Sequence, residues 1–254
     1  MNGRELIRCF TPHGLIEAHR RRFRLGRLGI PTDAATLAAV DSCRYELWPS
    51  FLRRGAPAWT LVDVGANEGG FVGAVTSLVK LRAVHAFEPL PACHKLLEQE
   101  LSKHDDAHLY RCAVGAQAGE LEIHYTGDSK MSSALKPKPN IASAYQTGDL
   151  MVRQKIKVPV VTLDEALAGV EQIDLLKVDV QGFEMEVFRG ATQTLARSRA
   201  VLLEVNYVQH YENAASFEDV FDFLRVRQFR VVGISPPYGS GSEGPLWADA
   251  MFVR

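Results

Sequence analysis

The chain has 254 residues, 46% of them hydrophobic and 23% charged, with a formal net charge of −1. These values are typical of a globular domain, so they exclude a disordered chain and a fibre. The length suits one α/β domain with an appendage. No uncharged run reaches the roughly 18 residues that span a bilayer. The first ten residues hold no apolar signal-peptide core, so we predict a cytoplasmic protein.

The four cysteines are far apart in the sequence and form no CxxC pair. In the cytoplasm such spacing predicts reduced thiols rather than disulfides. None of them has a histidine nearby at metal-ligand spacing, so we predict no zinc site and assign no metal ligands. The residues are Cys9, Cys43, Cys93 and Cys112.

Charge is distributed unevenly between the start of the chain and the rest. Residues 1–58 carry ten arginines and five acids, a net charge of +5, whereas residues 59–254 carry −6. The first segment has a helical pattern in which Thr32 or Asp33 caps a helix that runs towards Trp48. We therefore predict a helical N-terminal cap over 1–58 and a main domain over 59–254. The basic cap suits an anionic carrier, such as a sugar phosphate or a membrane glycolipid head group, or packing on the acidic core.

From Trp59 onward, short apolar runs alternate with amphipathic stretches. This alternation predicts an α/β fold with a largely parallel sheet, helices on both faces and a ligand site at the carboxyl ends of the strands. The polar segment 126–154 is too long for an ordinary connection, so we predict a binding loop or lid. Residues 238–244 are expected at the tip of a hairpin. Strands are predicted in TLVDVG, AVHAFE, LYRCAV, ELEIHY, KVPVVT, IDLLKVDV, AVLLEVN, RVVGIS and AMFVR. Helices are predicted from Gly182 and from Ser216.

The most informative stretch is LVDVGANEGG, residues 61–70, a buried strand that runs into a glycine-rich turn. The turn is neither the G-x-G-x-x-G of dinucleotide-binding proteins nor a P-loop. An acid at the strand end, Asp63, would repel phosphate but suits a cationic amino group, such as that of S-adenosylmethionine. The alternative is that Asp63 only caps the next helix.

The second strand ends in Phe87, Glu88 and Pro89. A carboxylate at this position can accept two hydrogen bonds from a ribose diol. NAD-binding proteins also carry an acid about 20 residues beyond the turn. Glu88 alone therefore does not distinguish the two cofactors, and it also fits a solvated strand end.

Six segments in this order resemble the FkbM-type methyltransferases, a branch of the S-adenosylmethionine-dependent class I methyltransferases. The resemblance covers residues 59–254. It implies a Rossmann-like fold with a seven-stranded, mostly parallel sheet whose last strand is antiparallel. It also implies O-methylation of a hydroxyl on a sugar, glycan, polyketide or related natural product. The segments are VDVGANEGG, FEP, CAVG, VPVVTLDE, IDLLKVDVQGFEMEVFRGA and LLEV.

The resemblance further implies a site for S-adenosyl-L-methionine. Asp63, Gly65 and Asn67 would border its methionine half, Glu88 would hold the ribose, and Ala113 would lie near the adenine. The full predicted cofactor site is Asp63, Gly65, Ala66, Asn67, Gly69, Phe87, Glu88, Pro89, Cys112 and Ala113.

Candidate catalytic residues follow the strand IDLLKVDV. Methyl transfer to an alcohol requires alignment of the reacting atoms and a group that accepts the hydroxyl proton. Asp179 is the first candidate for this base. Lys177, on the same face of the strand, would hold Asp179 ionised or orient the acceptor, or the two would form a structural ion pair. Glu204 and His210 are further catalytic candidates.

Gln181 stands where the family usually has glutamate in the pattern K-x-D-x-E-G. A glutamine can orient a hydroxyl but cannot accept a proton as a base, so the acceptor or the rate is expected to differ. We predict acceptor contacts from Gln181, Glu184, Ser132 and Ser133.

Three other functions remain open. The arginine-rich cap is compatible with a nucleic-acid methyltransferase, although the −6 charge of the main domain disfavours a phosphate backbone. Gln181 is also compatible with a non-catalytic module that only binds the cofactor. An NAD-dependent oxidoreductase is the third. The sequence SPPY at 235–238 imitates an amino-methyltransferase motif, but it follows the wrong strand, so we interpret it as a proline-rich turn.

Overall fold

The computed structural model describes residues 33–44, 48, 58–139, 151–239 and 244–254. Most of the predicted N-terminal cap, including Thr32 and Cys9, lies outside these residues. The described strands are β1 (Trp59–Val64), β2 (Leu81–Phe87), β3 (Ala107–Tyr110), β4 (Ala113–Val114), β5 (Gly119–Tyr125), β6 (Gln154–Val161), β7 (Leu175–Val178), β8 (Ala200–Asn206), β9 (Arg230–Ile234) and β10 (Trp247–Val253). The described α-helices are α1 (Ala34–Ser42), α2 (Gly70–Thr76), α3 (Pro91–Leu101), α4 (Leu163–Ala166), α5 (Glu184–Arg189), α6 (Thr192–Ala196) and α7 (Phe217–Arg225).

Seven of these strands form one sheet in the order β3-β2-β1-β7-β8-β10-β9. The first five are parallel, and β10 lies antiparallel between β8 and β9. The predicted α/β fold with an antiparallel last strand is therefore confirmed. All residues of β1 and β7 are buried, as expected for strands covered on both faces. The carboxyl ends of β1, β2, β7 and β8 meet at one edge of the sheet.

A second, smaller sheet with the order β4-β6-β5 was not predicted from the sequence. The run LYRCAV was predicted as one strand, and this is wrong because the chain changes partner inside it. β3 pairs with β2 in the main sheet, whereas β4 pairs with β6. The small sheet covers its own apolar cluster, which includes Leu90, Ala113, Ile123 and Val158.

Helix α1 begins directly after Asp33, whose carbonyl accepts a hydrogen bond from the Leu37 N–H at 3.0 Å. It ends at Ser42, so the predicted continuation towards Trp48 is wrong. Trp48 instead folds onto the first strand, with 4.9 Å between the ring centroids of Trp48 and Trp59. Both rings are fully buried in one cluster, so the described part of the cap packs into the main core.

The helix predicted from Gly182 is two short helices, α5 and α6. The first ends at Gly190, where glycine is required because a Cβ would lie 2.1 Å from the Gly115 carbonyl oxygen. Helix α7 begins at a reciprocal capping box between Ser216 and Asp219, which agrees with the predicted start at Ser216. β9 and β10 pair antiparallel as predicted, while residues 240–243 at the hairpin tip lie outside the described residues.

Within the described ranges, no helix is long and apolar enough to cross a membrane. The three described cysteines are all buried: Cys43, Cys93 and Cys112.

Candidate functional site

A cavity of about 720 Å³ opens at the carboxyl ends of β1, β2, β7 and β8. Its size falls in the range of small-molecule sites. The small sheet borders one end of the cavity and β8 and β10 border the other. Of the residues predicted from the sequence, the ones that line it are Gly65, Ala66, Asn67, Phe87, Glu88, Pro89, Cys112, Ala113, Ser132, Ser133, Lys177, Asp179, Gln181 and Glu204.

The backbone N–H groups of the turn after β1 all donate hydrogen bonds to other groups of the protein. The N–H groups of Gly65 and Ala66 both donate to the Phe87 carbonyl, at 3.0 and 3.1 Å. Those from Asn67 to Gly69 donate to the Glu88 carboxylate, the Asn67 side chain and the Ala66 carbonyl. Because all five donors already have acceptors, the turn offers them to no phosphate.

Glycine is required at position 65 of this turn. Gly65 has a φ of +79°, and a Cβ there would lie 1.9 Å from the Asp179 carbonyl oxygen. The absence of a side chain thus allows the end of β1 to approach the segment that follows β7. This close approach brings the turn and Asp179 to the same cavity.

Glu88 is held by two backbone amides at the cavity wall. Its Oε2 accepts from the Asn67 N–H and its Oε1 from the Leu90 N–H, each at 2.8 Å. Burial raises the pKa of Glu88, and the two amide hydrogen bonds partly offset this rise. Each carboxylate oxygen can accept more than one hydrogen bond, so Glu88 retains acceptor capacity towards the cavity.

The end of the cavity beside the small sheet is apolar. Phe87 stacks on Tyr110 with 4.2 Å between ring centroids, and Ala113 and Val114 lie next along the wall. Burial raises the pKa of the Cys112 thiol to about 11, so this side chain is neutral at physiological pH. The arrangement forms an apolar slot beside the Glu88 carboxylate.

Asp63 and Gly69 were predicted to border the cofactor, and the structure places neither at the cavity surface. Asp63 is 0% exposed, and its Oδ1 lies 3.1 Å from the Lys177 Nζ. Gly69 faces α3, where a Cβ would lie 2.9 Å from the Glu100 Cβ. Asp63 therefore does not line the cavity, and it contacts Lys177 instead.

Lys177 is a buried cation at the cavity floor. Its Nζ donates to the Gly65 carbonyl at 2.9 Å and lies 3.4 Å from Asp179 Oδ2. Burial lowers the pKa of Lys177, but the carboxylates of Asp63 and Asp179 and their hydrogen bonds outweigh burial, so the net shift is upward. Lys177 is consequently protonated at neutral pH and cannot serve as a base.

Asp179 presents a carboxylate to the cavity, with 39% of its side chain exposed. Its Oδ1 accepts a hydrogen bond from Gln181 Nε2 at 2.9 Å. Gln181 itself is held by Ser133, whose hydroxyl donates to the Gln181 carbonyl at 2.7 Å. The structure thus brings Lys177, Asp179, Gln181 and Ser133 together as one group.

Glu204 lines the cavity next to Asp179. Burial, followed by the neighbouring charges of Asp179, Glu184 and Asp249, raises its pKa well above the ordinary value. Asp249 is the direct partner of Glu204 across β8 and β10. The Arg44 guanidinium forms an ion pair with Asp249.

Two further predicted site residues do not line the cavity. His210 is buried, and burial lowers its pKa. Glu184 lies under the turn that follows β7, where its carboxylate accepts from the N–H groups of Val180 and Gly182 at 3.3 and 3.0 Å. Glu184 therefore supports the turn from below.

Sequence reasoning missed several residues that line the end of the cavity beside β8 and β10. One signal was available: an aspartate within the otherwise apolar strand WADAMFV. The arginine that pairs with it, at position 44, is one of ten in the first 58 residues and could not be singled out. The missed residues are Ser42, Arg44, Tyr238, Trp247 and Asp249.

No group of three or more His, Cys, Asp or Glu side chains is arranged to hold a metal ion in the part of the chain that the structure describes.

Comparison with known proteins assigns this chain to a family. The family model described as "Methyltransferase FkbM domain" matches residues 63–231. The 2-O-methyltransferase NoeI of Sinorhizobium fredii is 27% identical over 223 residues, which cover 85% of this chain and 88% of that protein. The 31-O-demethyl-FK506 methyltransferase FkbM of Streptomyces tacrolimicus is 29% identical over 218 residues, covering 76% of this chain and 82% of that protein.

The fold has a counterpart among solved structures. The methyltransferase FkbM of Methylobacillus flagellatus superposes with a TM-score of 0.51 at 12% sequence identity. The alignment covers 92% of this chain and 59% of that protein, so this chain spans well under two thirds of its length. The shared fold, the six motifs and the family match over residues 63–231 all indicate the same family. The chain belongs to the FkbM family of methyltransferases, and it is a Rossmann-like methyltransferase enzyme.

Proposed function

We propose that this enzyme transfers a methyl group from S-adenosyl-L-methionine to a hydroxyl of a sugar, glycan or other natural product. One observation carries the proposal: Asp179, a partly exposed carboxylate beside the buried Lys177 cation, shares a single cavity with the amide-held Glu88. The first is suited to accept a proton from a hydroxyl, and the second to bind a diol.

The residues present fit the proposed cofactor. The acceptor capacity left on Glu88 suits the two ribose hydroxyls, and the slot formed by Phe87, Ala113 and Val114 suits the adenine. The turn from Gly65 to Gly69 has no backbone donor left for a pyrophosphate, which disfavours the NAD-dependent alternative. When bound, S-adenosylmethionine supplies a methyl group on a positively charged sulfur.

The chain's own part in the reaction is positioning and proton transfer. Asp179 accepts the proton of the acceptor hydroxyl as general base. Lys177 forms an ion pair with Asp179, with 3.4 Å between Nζ and Oδ2, and this contact holds the carboxylate in place. Glu204, with its raised pKa, is a poorer candidate for the ionised group that receives this proton.

The relatives support a hydroxyl oxygen as the methyl acceptor. The two compared enzymes are named as a 2-O-methyltransferase and a 31-O-demethyl-FK506 methyltransferase. The acceptor would enter over β8 and β10, beside Arg44, Tyr238 and Trp247. Residues 59–254 form the proposed catalytic domain. The segment 1–58 is its proposed cap, since Arg44 reaches the cavity wall.

Two variants test the proposal. Calorimetry with S-adenosylmethionine should show at least about tenfold weaker binding for Glu88→Gln, because an amide oxygen is a weaker acceptor than a carboxylate. Asp179→Asn should bind the cofactor nearly as the wild type does, but lose about 10²-fold or more in turnover. If Asp179→Asn abolished cofactor binding instead, the assigned roles would be wrong.

A labelled-methyl transfer screen identifies the acceptor class. We expect transfer to nucleotide sugars, glycolipids or polyketide glycosides. Transfer only to RNA would overturn the small-molecule proposal in favour of a nucleic-acid methyltransferase. Cofactor binding without transfer to any of these compounds would favour a non-catalytic module.

A further inference from the structure

The cavity has an aromatic wall at the end that lies away from the small sheet. Tyr238 and Trp247 both line this end, and their rings stack with 5.0 Å between centroids and 24° between planes. Tyr238 is 53% exposed, so the pair is not enclosed by the core. Aromatic side chains at a cavity wall bind the apolar face of a ligand, while a few polar groups beside them fix its orientation.

The backbone that carries the aromatic pair is held by hydrogen bonds. The Tyr238 N–H donates to the Trp247 carbonyl at 2.8 Å. The Ser235 N–H donates to the Asp249 carbonyl at 2.8 Å, and the Ser235 hydroxyl accepts from the Asp249 N–H at 3.0 Å. Between these contacts, the prolines at 236 and 237 restrict the backbone. The SPPY turn thus holds Tyr238 against Trp247 before a ligand enters, which lowers the entropic cost of binding.

Carboxyl groups lie beside the aromatic wall. Trp247 and Asp249 are two positions apart in β10, so their side chains lie on the same face of the strand. Asp249 pairs directly with Glu204 of β8, and both line the cavity. The register between β7 and β8 continues this row to Asp179. Three carboxyl groups therefore extend from the proposed base to the aromatic wall over two strand spacings, about 10 Å.

This combination of groups favours a sugar ring over other ligands. A sugar can place its apolar face on the aromatic rings while its hydroxyls donate to the carboxyl groups. A wholly apolar ring would displace water from the carboxyl groups and leave them without partners. A nucleotide could also stack, but Glu204 and Asp249 disfavour its phosphate, and Arg44 at this wall already pairs with Asp249.

We propose that Trp247 and Tyr238 form the platform on which an unphosphorylated sugar ring of the acceptor stacks, with its hydroxyls directed to the row from Asp249 to Asp179. The inference rests on the proposed function, since it places the acceptor of methyl transfer in this cavity. It makes Trp247 and Tyr238 determinants of acceptor specificity. Among the acceptors of the transfer screen, it favours neutral glycosides over nucleotide sugars.

The test is saturation-transfer NMR on the full-length protein without cofactor. The probes are the methyl glycosides of glucose, galactose, mannose and fucose, the 1-phosphates of the same sugars, and uridine monophosphate. We expect saturable binding of at least one methyl glycoside, with the strongest saturation on the protons of one face of its ring. The corresponding sugar 1-phosphate should bind more weakly.

Three variants assign the binding to the aromatic wall. Trp247→Leu keeps apolar bulk but removes the aromatic face, and it should raise the dissociation constant of the glycoside at least about tenfold. Tyr238→Leu should raise it by a smaller factor. Tyr207→Leu is the matched control, because Tyr207 is 44% exposed and does not line the cavity, and it should leave the dissociation constant unchanged.

Thermal unfolding shows which variants are folded. Tyr238 lies in an exposed turn, so Tyr238→Leu keeps the test decisive if Trp247→Leu does not fold. Unchanged affinity in the folded wall variants would overturn the proposal, and so would tighter binding of the sugar 1-phosphate or no binding of any glycoside. Binding of uridine monophosphate alone, lost in Trp247→Leu, would overturn it in favour of a nucleic-acid acceptor.

Calorimetry of the wild type with S-adenosylmethionine tests the proposed function separately. Glycoside binding that depends on Trp247, without cofactor binding, would overturn the proposed function and leave the sugar site. Cofactor binding without glycoside binding would overturn only the sugar site.

Discussion

Lys177 places one positive charge between two carboxylates at the floor of the cavity. Asp63 lies beneath it with no exposed surface, and Asp179 lies above it at the cavity wall. Burial raises the pKa of Asp63, and the adjacent Lys177 cation partly offsets that rise. The same residues were expected to act separately, Asp63 on the cofactor and Asp179 on the acceptor. The structure connects them through Lys177.

Glu184 makes the stability of the enzyme depend on pH. Burial raises the pKa of this carboxyl group to about 7, whereas it titrates near 4.5 when unfolded. The folded state thus holds its proton more tightly, so stability is highest below the unfolded pKa and falls as the pH rises from about 4.5 to about 7. A shift of this size corresponds to at most about 3 kcal/mol.

Glu184→Gln should remove this dependence, because an amide does not titrate. We expect the melting temperature of the wild type to fall relative to that of Glu184→Gln between pH 5 and pH 7.5. The exposed Glu218 provides a matched control, and Glu218→Gln should follow the wild-type profile. Parallel profiles for wild type and Glu184→Gln would contradict the prediction.

At the scale of elements, the contact between the end of β1 and the segment after β7 positions the site. Gly65 permits it, because the carbonyl of Asp179 occupies the space of a side chain. The small sheet then closes one end of the cavity, while β8 and β10 close the other. Four acids from four separate elements lie close enough to Asp179 for their charges to interact with it: Asp63, Glu184, Glu204 and Asp249.

Gly65→Ala should disrupt this contact. The added Cβ would lie 1.9 Å from a backbone oxygen, and the φ of +79° is unfavourable for alanine. We expect a loss of about 3 kcal/mol or more in the free energy of unfolding, measured by denaturant titration. Gly70→Ala is the control, since a Cβ there meets nothing within 4 Å. Equal stability of the two variants would show that the contact is not required.

At the scale of the whole molecule, an ion pair connects the basic segment 1–58 with the acidic remainder of the chain. The chain is +5 over residues 1–58 and −6 over the remainder, and Arg44 from the first segment pairs with Asp249 from the last strand. Ala39, Val40 and Trp48 are buried in the same cluster as β1. The described end of the cap thus contributes both to the core and to the cavity wall.

Trp48→Ala should therefore destabilise the entire protein. Removal of a fully buried tryptophan costs about 3–5 kcal/mol, and we expect that loss in a single cooperative unfolding transition. Val226→Ala, at a position that is 68% exposed, should change stability by less than about 0.5 kcal/mol. If Trp48→Ala left the unfolding transition unchanged, the packing of the cap on the core would not contribute to stability.

The sequence by itself determined the alternation of strands and helices, the edge of the sheet that carries the site, and the importance of Glu88 and Asp179. These features are local, because apolar periodicity and turn residues act over a few neighbouring positions. Strands at the carboxyl edge of a parallel sheet then bring their end residues to one place.

Only the tertiary structure decided which of those residues reach the cavity. It buried Asp63, paired Arg44 with Asp249, divided LYRCAV between two sheets and placed Tyr211 against Gln181. Each outcome depends on contacts between segments far apart in sequence, such as the 205 residues that separate Arg44 from Asp249. Local sequence patterns do not predict contacts between residues so far apart in the chain, because packing and strand register depend on the whole chain.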